Sequence, residues 1–248
     1  MPLIQADTID NVEWKTDHRT YLTAAVDIWK ISISAGEKLS DFFLQVCNKE
    51  ERAKASRYHN EKDRLRYIFG RGALRILSGK YLNKSPGTIQ FVAGAHKKPV
   101  LNKNSGGGLH FNISHSGDFV LIAISNSEVG VDIEKINADF SYREILETNF
   151  SKEEIELIIH SKNPVESFYL LWTRKESLVK AMAKGLIDDL NSISVLDGSF
   201  SIGRETTDLS ASWDIHSFSI AEQYLGSLAC AMGTETINFF ETSPSFFL

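Results

Sequence analysis

A repeat in the order of structural elements restricts this chain more than any single motif. Helical periodicity followed by strand-like runs occurs twice, and a shift of 103 residues lays Lys49-Glu50-Glu51 on Lys152-Glu153-Glu154 and Arg71 on Arg174. The same shift lays Leu65, Tyr67, Ile68 and Phe69 on Phe168, Leu170, Leu171 and Trp172. Identity between the copies is slight, yet two α/β units of about 100 residues suit a 248-residue chain better than one continuous sheet. An α/β (α+β) fold of two similar halves is expected, residues 1–126 and 127–248, with a ligand site in a cleft between them.

Local patterns fill in the parts. After a polar leader, Leu22 to Ser34 reads as a strand, Ser40 to Val46 as a short helix, and Lys49 to Tyr81 as a long amphipathic helical stretch ended by Pro86-Gly87. Ile89 to Ala93 and Pro99 to Leu101 read as short strands around the basic turn Ala95-His96-Lys97-Lys98, before a glycine-rich loop from Asn102 to Gly108. Phe111 to Ile113, Phe119 to Ser125 and Val129 to Glu134 follow as strands. Helices resume at Tyr142 to Asn149, at Glu153 to His160 behind the capping-box pair Ser151 and Glu154, and at Glu166 to Lys184, stopped by Gly185. Ile193 to Val195, Ala211 to Ser219 and Tyr224 to Met232 read as strands.

Composition narrows the class. At 42% hydrophobic and 24% charged, with 16 Gly and 5 Pro, the chain is neither disordered nor fibrous. Its two cysteines, Cys47 and Cys230, are too few for a disulfide-stapled secreted fold and point to a reducing cytoplasm. Met1 to Asp10 lacks the apolar run of a signal peptide, and no stretch reaches the ~18 apolar residues of a membrane span, so neither export nor membrane insertion is expected. The net charge of -5 gives no reason to expect a nucleic acid. It conceals a segregation, because Lys49 to Lys103 holds fourteen Lys or Arg against four Asp or Glu, a local +10 against -15 elsewhere. A helix serving solubility alone would mix its signs, so this stretch, with Tyr58, Tyr67 and Phe69 among its cations, is expected to meet an anion.

Three motifs carry chemistry. In Gly130-Val131-Asp132-Ile133-Glu134, strand alternation puts Asp132 and Glu134 on one face and Val131 and Ile133 on the other. Two neighbouring carboxylates repel each other and suit a hard cation, Mg²⁺ or Mn²⁺, although the same pattern alone describes an ordinary exposed strand. In Trp172-Thr173-Arg174-Lys175-Glu176-Ser177-Leu178-Val179-Lys180, Glu176 and Lys180 share a helix face. That spacing fits an everyday ion pair of ~0.2–0.5 kcal/mol, or a third metal carboxylate flanked by phosphate-binding Lys175 and Lys180. Asn112-Ile113-Ser114-His115-Ser116-Gly117 ends a strand in small polar residues able to form an anion nest, with His115 either a donor to phosphate or a structural loop residue. The other histidines share no metal-ligand spacing, which argues against zinc.

Together, in this order and spacing and with Lys184-Gly185-Leu186 behind them, the motifs resemble the surfactin-type 4'-phosphopantetheinyl transferase family. The resemblance runs from about Leu22 to the strands after Trp213. It implies two α/β halves related by a pseudo-two-fold, with the active site in the cleft between them. It implies Mg²⁺-dependent transfer of 4'-phosphopantetheine from coenzyme A to a serine hydroxyl of an acyl or peptidyl carrier protein, with release of adenosine 3',5'-bisphosphate: a holo-carrier-protein synthase. On the same resemblance Asp132, Glu134 and Glu176 hold Mg²⁺ or Mn²⁺, and Glu176 is the base for the carrier serine, directly or through a metal-bound water. Lys175 and Lys180 contact the pyrophosphate, Lys180 also neutralising the departing phosphate, while Ser114 and His115 bind the phosphates of the adenosine moiety.

The basic stretch resembles the family's coenzyme-binding region. Glu51 to His59 matches its basic helix, which implies a role for Lys54, and Arg66 aligns with its coenzyme-binding arginine once one residue is inserted. His96-Lys97-Lys98-Pro99 resembles its basic turn, which adds Lys97 and Lys98. Because Ile133 is apolar, a water is expected at the coordination position that the intervening side chain fills in some members. The implied partners are coenzyme A and a carrier protein, with no nucleic acid and no membrane, and the two-halved chain implies a monomer. A different Mg²⁺-dependent phosphoryl enzyme is disfavoured by the lack of P-loop, G-x-G-x-x-G and kinase signatures. A nucleic-acid module is disfavoured by the acidic remainder.

Overall fold

A strand, a set of helices and a β-hairpin follow one another twice along the chain. The computed structural model describes residues 2–16, 21, 25–35, 37–94, 98–102, 108–183, 190–201 and 211–247. In chain order the strands are β1 (Leu3–Thr8), β2 (Ala25–Ser32), β3 (Phe91–Ala93), β4 (Pro99–Leu101), β5 (His110–Ser116), β6 (Phe119–Ser125) and β7 (Val129–Lys135). They continue with β8 (Gly198–Ser201), β9 (Trp213–Ala221), β10 (Tyr224–Ala231) and β11 (Thr236–Glu241). The helices are α1 (Ser40–Val46), α2 (Lys49–Ala55), α3 (Glu61–Leu82), α4 (Arg143–Asn149), α5 (Lys152–His160), α6 (Pro164–Met182) and α7 (Pro244–Phe247).

The two runs pair their strands alike. β2-β6-β5 and β7-β10-β9 are both antiparallel, with the leading strand joined to the far arm of its hairpin. A long helix packs on each set, α3 against β5 and β6 and α6 against β7 and β10. Trp29, Phe43, Phe69 and Ile122 lie in one core, and Phe168, Leu171, Leu178 and Ile215 in the other. The fold is mixed α and β in two similar halves.

The halves are not contiguous. One unit takes Met1–Val12 with Glu128–Thr234, and the other takes Glu13–Ser127 with Glu235–Leu248. The ends of the chain thus depart from a division into residues 1–126 and 127–248. β1 lies between β9, to which it is parallel, and β8, to which it is antiparallel. Its polar composition hides a strand alternation, with Ile4 and Ala6 buried between exposed Leu3 and Gln5. At the other end β11 joins β2 in parallel, and Phe240 stacks on Trp29 with ring centroids 4.6 Å apart.

Three local expectations change. Lys49 to Tyr81 is two helices, because Asn48 caps α2 in a capping box with Glu51 and Asn60 caps α3 anew. Ser114 to Ser116, expected in a turn, extends strand β5, and the turn is left to Gly117, at φ +55°, and Asp118. Ile193 to Val195 is not a strand, since its backbone groups are taken by side chains described below. Gly185, the expected helix stop, lies outside the described residues, and α6 ends at Ala183 in the left-handed region, φ +52°. No helix among the described residues is long and apolar enough to cross a membrane.

Candidate functional site

The carboxylate strand and the lysine-bearing helix meet at a glycine. A Cβ on Gly130 of β7 would overlap the carbonyl oxygen of Ser177 and the amide nitrogen of Ala181, and would stand 3.0 Å from Ala181 Cα, all backbone of α6. Backbone cannot swing aside as a side chain can, so only glycine lets α6 seat this closely on β7. Asp132, two residues along, lies buried with its Oδ1 2.5 Å from Lys180 Nζ. Glu176, one turn before Lys180, belongs to the same cluster. Burial pushes its carboxyl above the usual range, the Lys180 charge pulls it down, and the Asp132 charge pushes it up again.

Asp132, Glu176 and Lys180 are therefore brought together, and Glu134 follows half-buried at the next same-face position of β7. Among the described residues, no three His, Cys, Asp or Glu side chains are gathered as a ready metal shell. Lys180 provides the countercharge at Asp132. The donor set nevertheless fits a hard divalent ion, being all oxygen, with two carboxylates close enough for one to disfavour ionisation of the other.

Lys175 must be withdrawn from the phosphate ligands. It is fully buried, and its ammonium donates to Glu154 Oε2 at 2.8 Å, Leu190 O at 2.9 Å and Ile193 O at 2.7 Å, which uses all three of its protons. Burial lowers its affinity for the proton while the Glu154 charge restores part of it. Arg174 is likewise internal. Its guanidinium donates to Ser217 Oγ, Val195 O, Asp7 O, Thr8 Oγ1 and Asp197 Oδ1, tying α6 to β1 and β9. The hydroxyls of Thr173, Ser227 and Ser217 continue this buried chain at 2.8 and 3.0 Å.

The basic stretch of the other unit forms a groove of 550 Å³ whose lining includes Lys54, Tyr58, Arg66, Tyr67, Arg71 and His115. Lys54 Nζ stands 5.1 Å over the Tyr67 ring, and the Tyr58 and Tyr67 rings lie 5.4 Å apart. Arg66 reaches the groove while donating to Gly117 O at 2.9 Å and Asp63 at 2.5 Å. Alternation along β5 turns Ile113 and His115 to the groove and sends Ser114, buried, to the opposite face. The two proposed phosphate ligands are therefore separated. Lys98 directly precedes Pro99 of the groove wall, whereas Lys97 and His96 lie outside the described residues.

Part of the +10 is spent internally. Arg71 and Arg75 both bind the buried carboxylate of Glu51, at 2.7 and 2.6 Å, and Arg75 also donates to Ile89 O. Sequence inspection missed Glu51 as their anchor, although the signal was present: the 103-residue shift places it on Glu154, and Asn48 three residues earlier completes a capping box.

Comparison with known proteins agrees with these motifs. Residues 128–232 match the 4'-phosphopantetheinyl transferase superfamily, and residues 35–127 match the N-terminal family of 4'-phosphopantetheinyl transferases. Sfp of Bacillus subtilis strain 168 is 33% identical over 165 residues, 64% of this chain and 72% of its own length. HetI of Nostoc is 29% identical over 176 residues, 69% of this chain and 74% of its own. The Synechocystis relative slr0495 is 33% identical over 154 residues, so the chain spans 63% of that protein. With both stretches matched in order and a third of the 165 aligned residues identical to Sfp, the chain belongs to the surfactin-type 4'-phosphopantetheinyl transferase family.

Proposed function

We propose that this enzyme transfers 4'-phosphopantetheine from coenzyme A to a serine of an acyl or peptidyl carrier protein, releasing adenosine 3',5'-bisphosphate, and acts in the cytoplasm as a monomer. The observation that carries this is the contact of Lys180 with Asp132 beside Glu176, on the motifs shared with the family. Asp132, Glu134 and Glu176 would hold Mg²⁺ or Mn²⁺, and the ion supplies charge neutralisation at the pyrophosphate when bound. Glu176 accepts the proton of the carrier serine. The serine oxygen bonds to the phosphorus that carries pantetheine, while the bond from that phosphorus to the bridging oxygen breaks and its electron pair leaves with the nucleotide. Lys180 stabilises that developing charge, so catalysis is positioning plus electrostatics.

Lys54, Arg66 and His115 line a basic groove suited to the phosphates of the adenosine moiety, and Lys97 and Lys98 are assigned to the same anion. The test is direct. Apo carrier protein, coenzyme A, Mg²⁺ and the enzyme should yield a carrier heavier by roughly 340 Da, the covalent mass of one phosphopantetheine, on a single serine. No gain across fatty-acid, polyketide and peptide carriers would overturn the assignment.

A further inference from the structure

Glu154 and Lys175 are both fully buried, which is costly for charges unless they are paired and fully hydrogen-bonded. The carboxylate of Glu154 accepts from Lys175 Nζ at 2.8 Å, from Ser151 N at 2.8 Å and, through its other oxygen, from Val195 N at 2.8 Å. The ammonium of Lys175 adds Leu190 O and Ile193 O. One buried pair therefore joins the first turn of α5, the middle of α6 and the segment from Leu190 to Val195. The residue that follows Lys175 is Glu176.

The other half carries a related device, although the shift places Gly72 where Lys175 stands and its cations come from neighbouring turns of the long helix. Glu51, at the equivalent place in the repeat, caps α2 and binds Arg71 and Arg75 of α3. A shift of 103 from Glu176 lands there on Ala73, which is fully buried in the core. The device thus occurs with and without a reactive carboxylate beside it, which marks it as a means of seating the long helix rather than a substrate contact. We propose that the Glu154–Lys175 pair is a buried strut that sets the rotation and height of α6, so that Glu176 faces Asp132, and that both are positioning residues of the transfer reaction. This rests on the role given above to Glu176.

The test is a double-mutant cycle in the full chain with Glu154→Gln, Lys175→Met and both together. Four quantities are followed: kcat and KM for coenzyme A in carrier loading, Mn²⁺ affinity of the protein alone by calorimetry, and the urea unfolding midpoint. Each single change leaves one buried charge uncompensated, so kcat and Mn²⁺ affinity should fall about tenfold or more, with KM for coenzyme A within about twofold of the parent. The double variant lacks the strut, so kcat and Mn²⁺ affinity should stay about tenfold or more below the parent while the unfolding constants show a coupling of about tenfold or more, and parent-like kcat in the folded double variant would overturn the strut. A rise in KM for coenzyme A with kcat kept, unrelieved in the double variant, would make Lys175 a substrate ligand and overturn the strut. If a single variant does not fold, a double variant that folds with kcat and Mn²⁺ affinity still low supports the strut, and a double variant that does not fold, or that folds and binds Mn²⁺ like the parent, overturns it. A parent protein that loads no carrier removes the proposed function instead, and the strut is then judged on Mn²⁺ affinity and the unfolding cycle.

Discussion

The two halves differ most sharply at four positions related by the 103-residue shift. Trp29, Ile31, Ala73 and Leu77 are at most 2% exposed and form the core of one half. Of their counterparts, Asp132, Glu176 and Lys180 form the charged cluster of the other, with half-buried Glu134 at the next same-face position of β7. The same strand and helix therefore either close on an apolar core or open a polar site, and the capping-box glutamate seats the long helix in both. The polar half gives up packing energy at these positions, while Gly130 allows its long helix to seat closely on β7 and Phe168, Leu171 and Leu178 keep it packed in the core.

Asp132→Ala or Glu176→Ala should lower transfer by at least about a hundredfold to a thousandfold with unchanged circular dichroism; full activity in either variant removes that residue from the site. The reciprocal change, Ala73→Glu, buries an uncompensated charge in the apolar core and should cost about 3–5 kcal/mol in urea unfolding, whereas a loss below about 1 kcal/mol would erase the distinction between the halves.

Glu51 tests the shared device through pH. Burial alone would raise its carboxyl, but the hydrogen bonds from Arg75 and the Asn48 amide and the Arg71 charge hold it below the usual carboxylate range. A pKa lower in the folded than in the unfolded chain gives stability that is complete above the unfolded value and is lost as pH falls through the folded one. Glu51→Gln should therefore cost about 3 kcal/mol at pH 7, and the gap to the parent should narrow below the usual carboxylate range. A gap independent of pH would mean that the pair contributes through shape and not charge.

The groove should respond more modestly. Lys54→Ala is expected to raise KM for coenzyme A roughly threefold to tenfold with little change in kcat. Smallest of all, burial pushes Cys47 up to about 11 and Cys230 up to about 12, so neither thiol should react with a thiol reagent at pH 8 until the chain is unfolded. Rapid labelling of the native protein would show that one of the two cores opens.

Much of the site was legible in local pattern. Asp132 and Glu134 announce themselves by strand alternation, Glu176 and Lys180 by helical spacing, and Ser151 with Glu154 by the capping box. Less was legible where the answer depended on a distant neighbour. Leu3 to Thr8 looks like a polar leader because only Ile4 and Ala6 face a core, and the strands that pair with it lie about two hundred residues away. Lys175 carries the same charge as Lys180, yet its acceptors come from α5 and the segment after α6.

The element order, the repeat, the family motifs and the inventory of charged groups are readable from the amino-acid sequence alone, because they depend on residue type and on spacing within one strand or helix. Which charges are available depends on the folded chain. It buries Lys175 and Arg75 against internal acceptors, turns Ser114 away from His115, and exchanges the chain ends between the halves. Desolvation and long-range pairing set those outcomes, and neither is a property of any short stretch of chain.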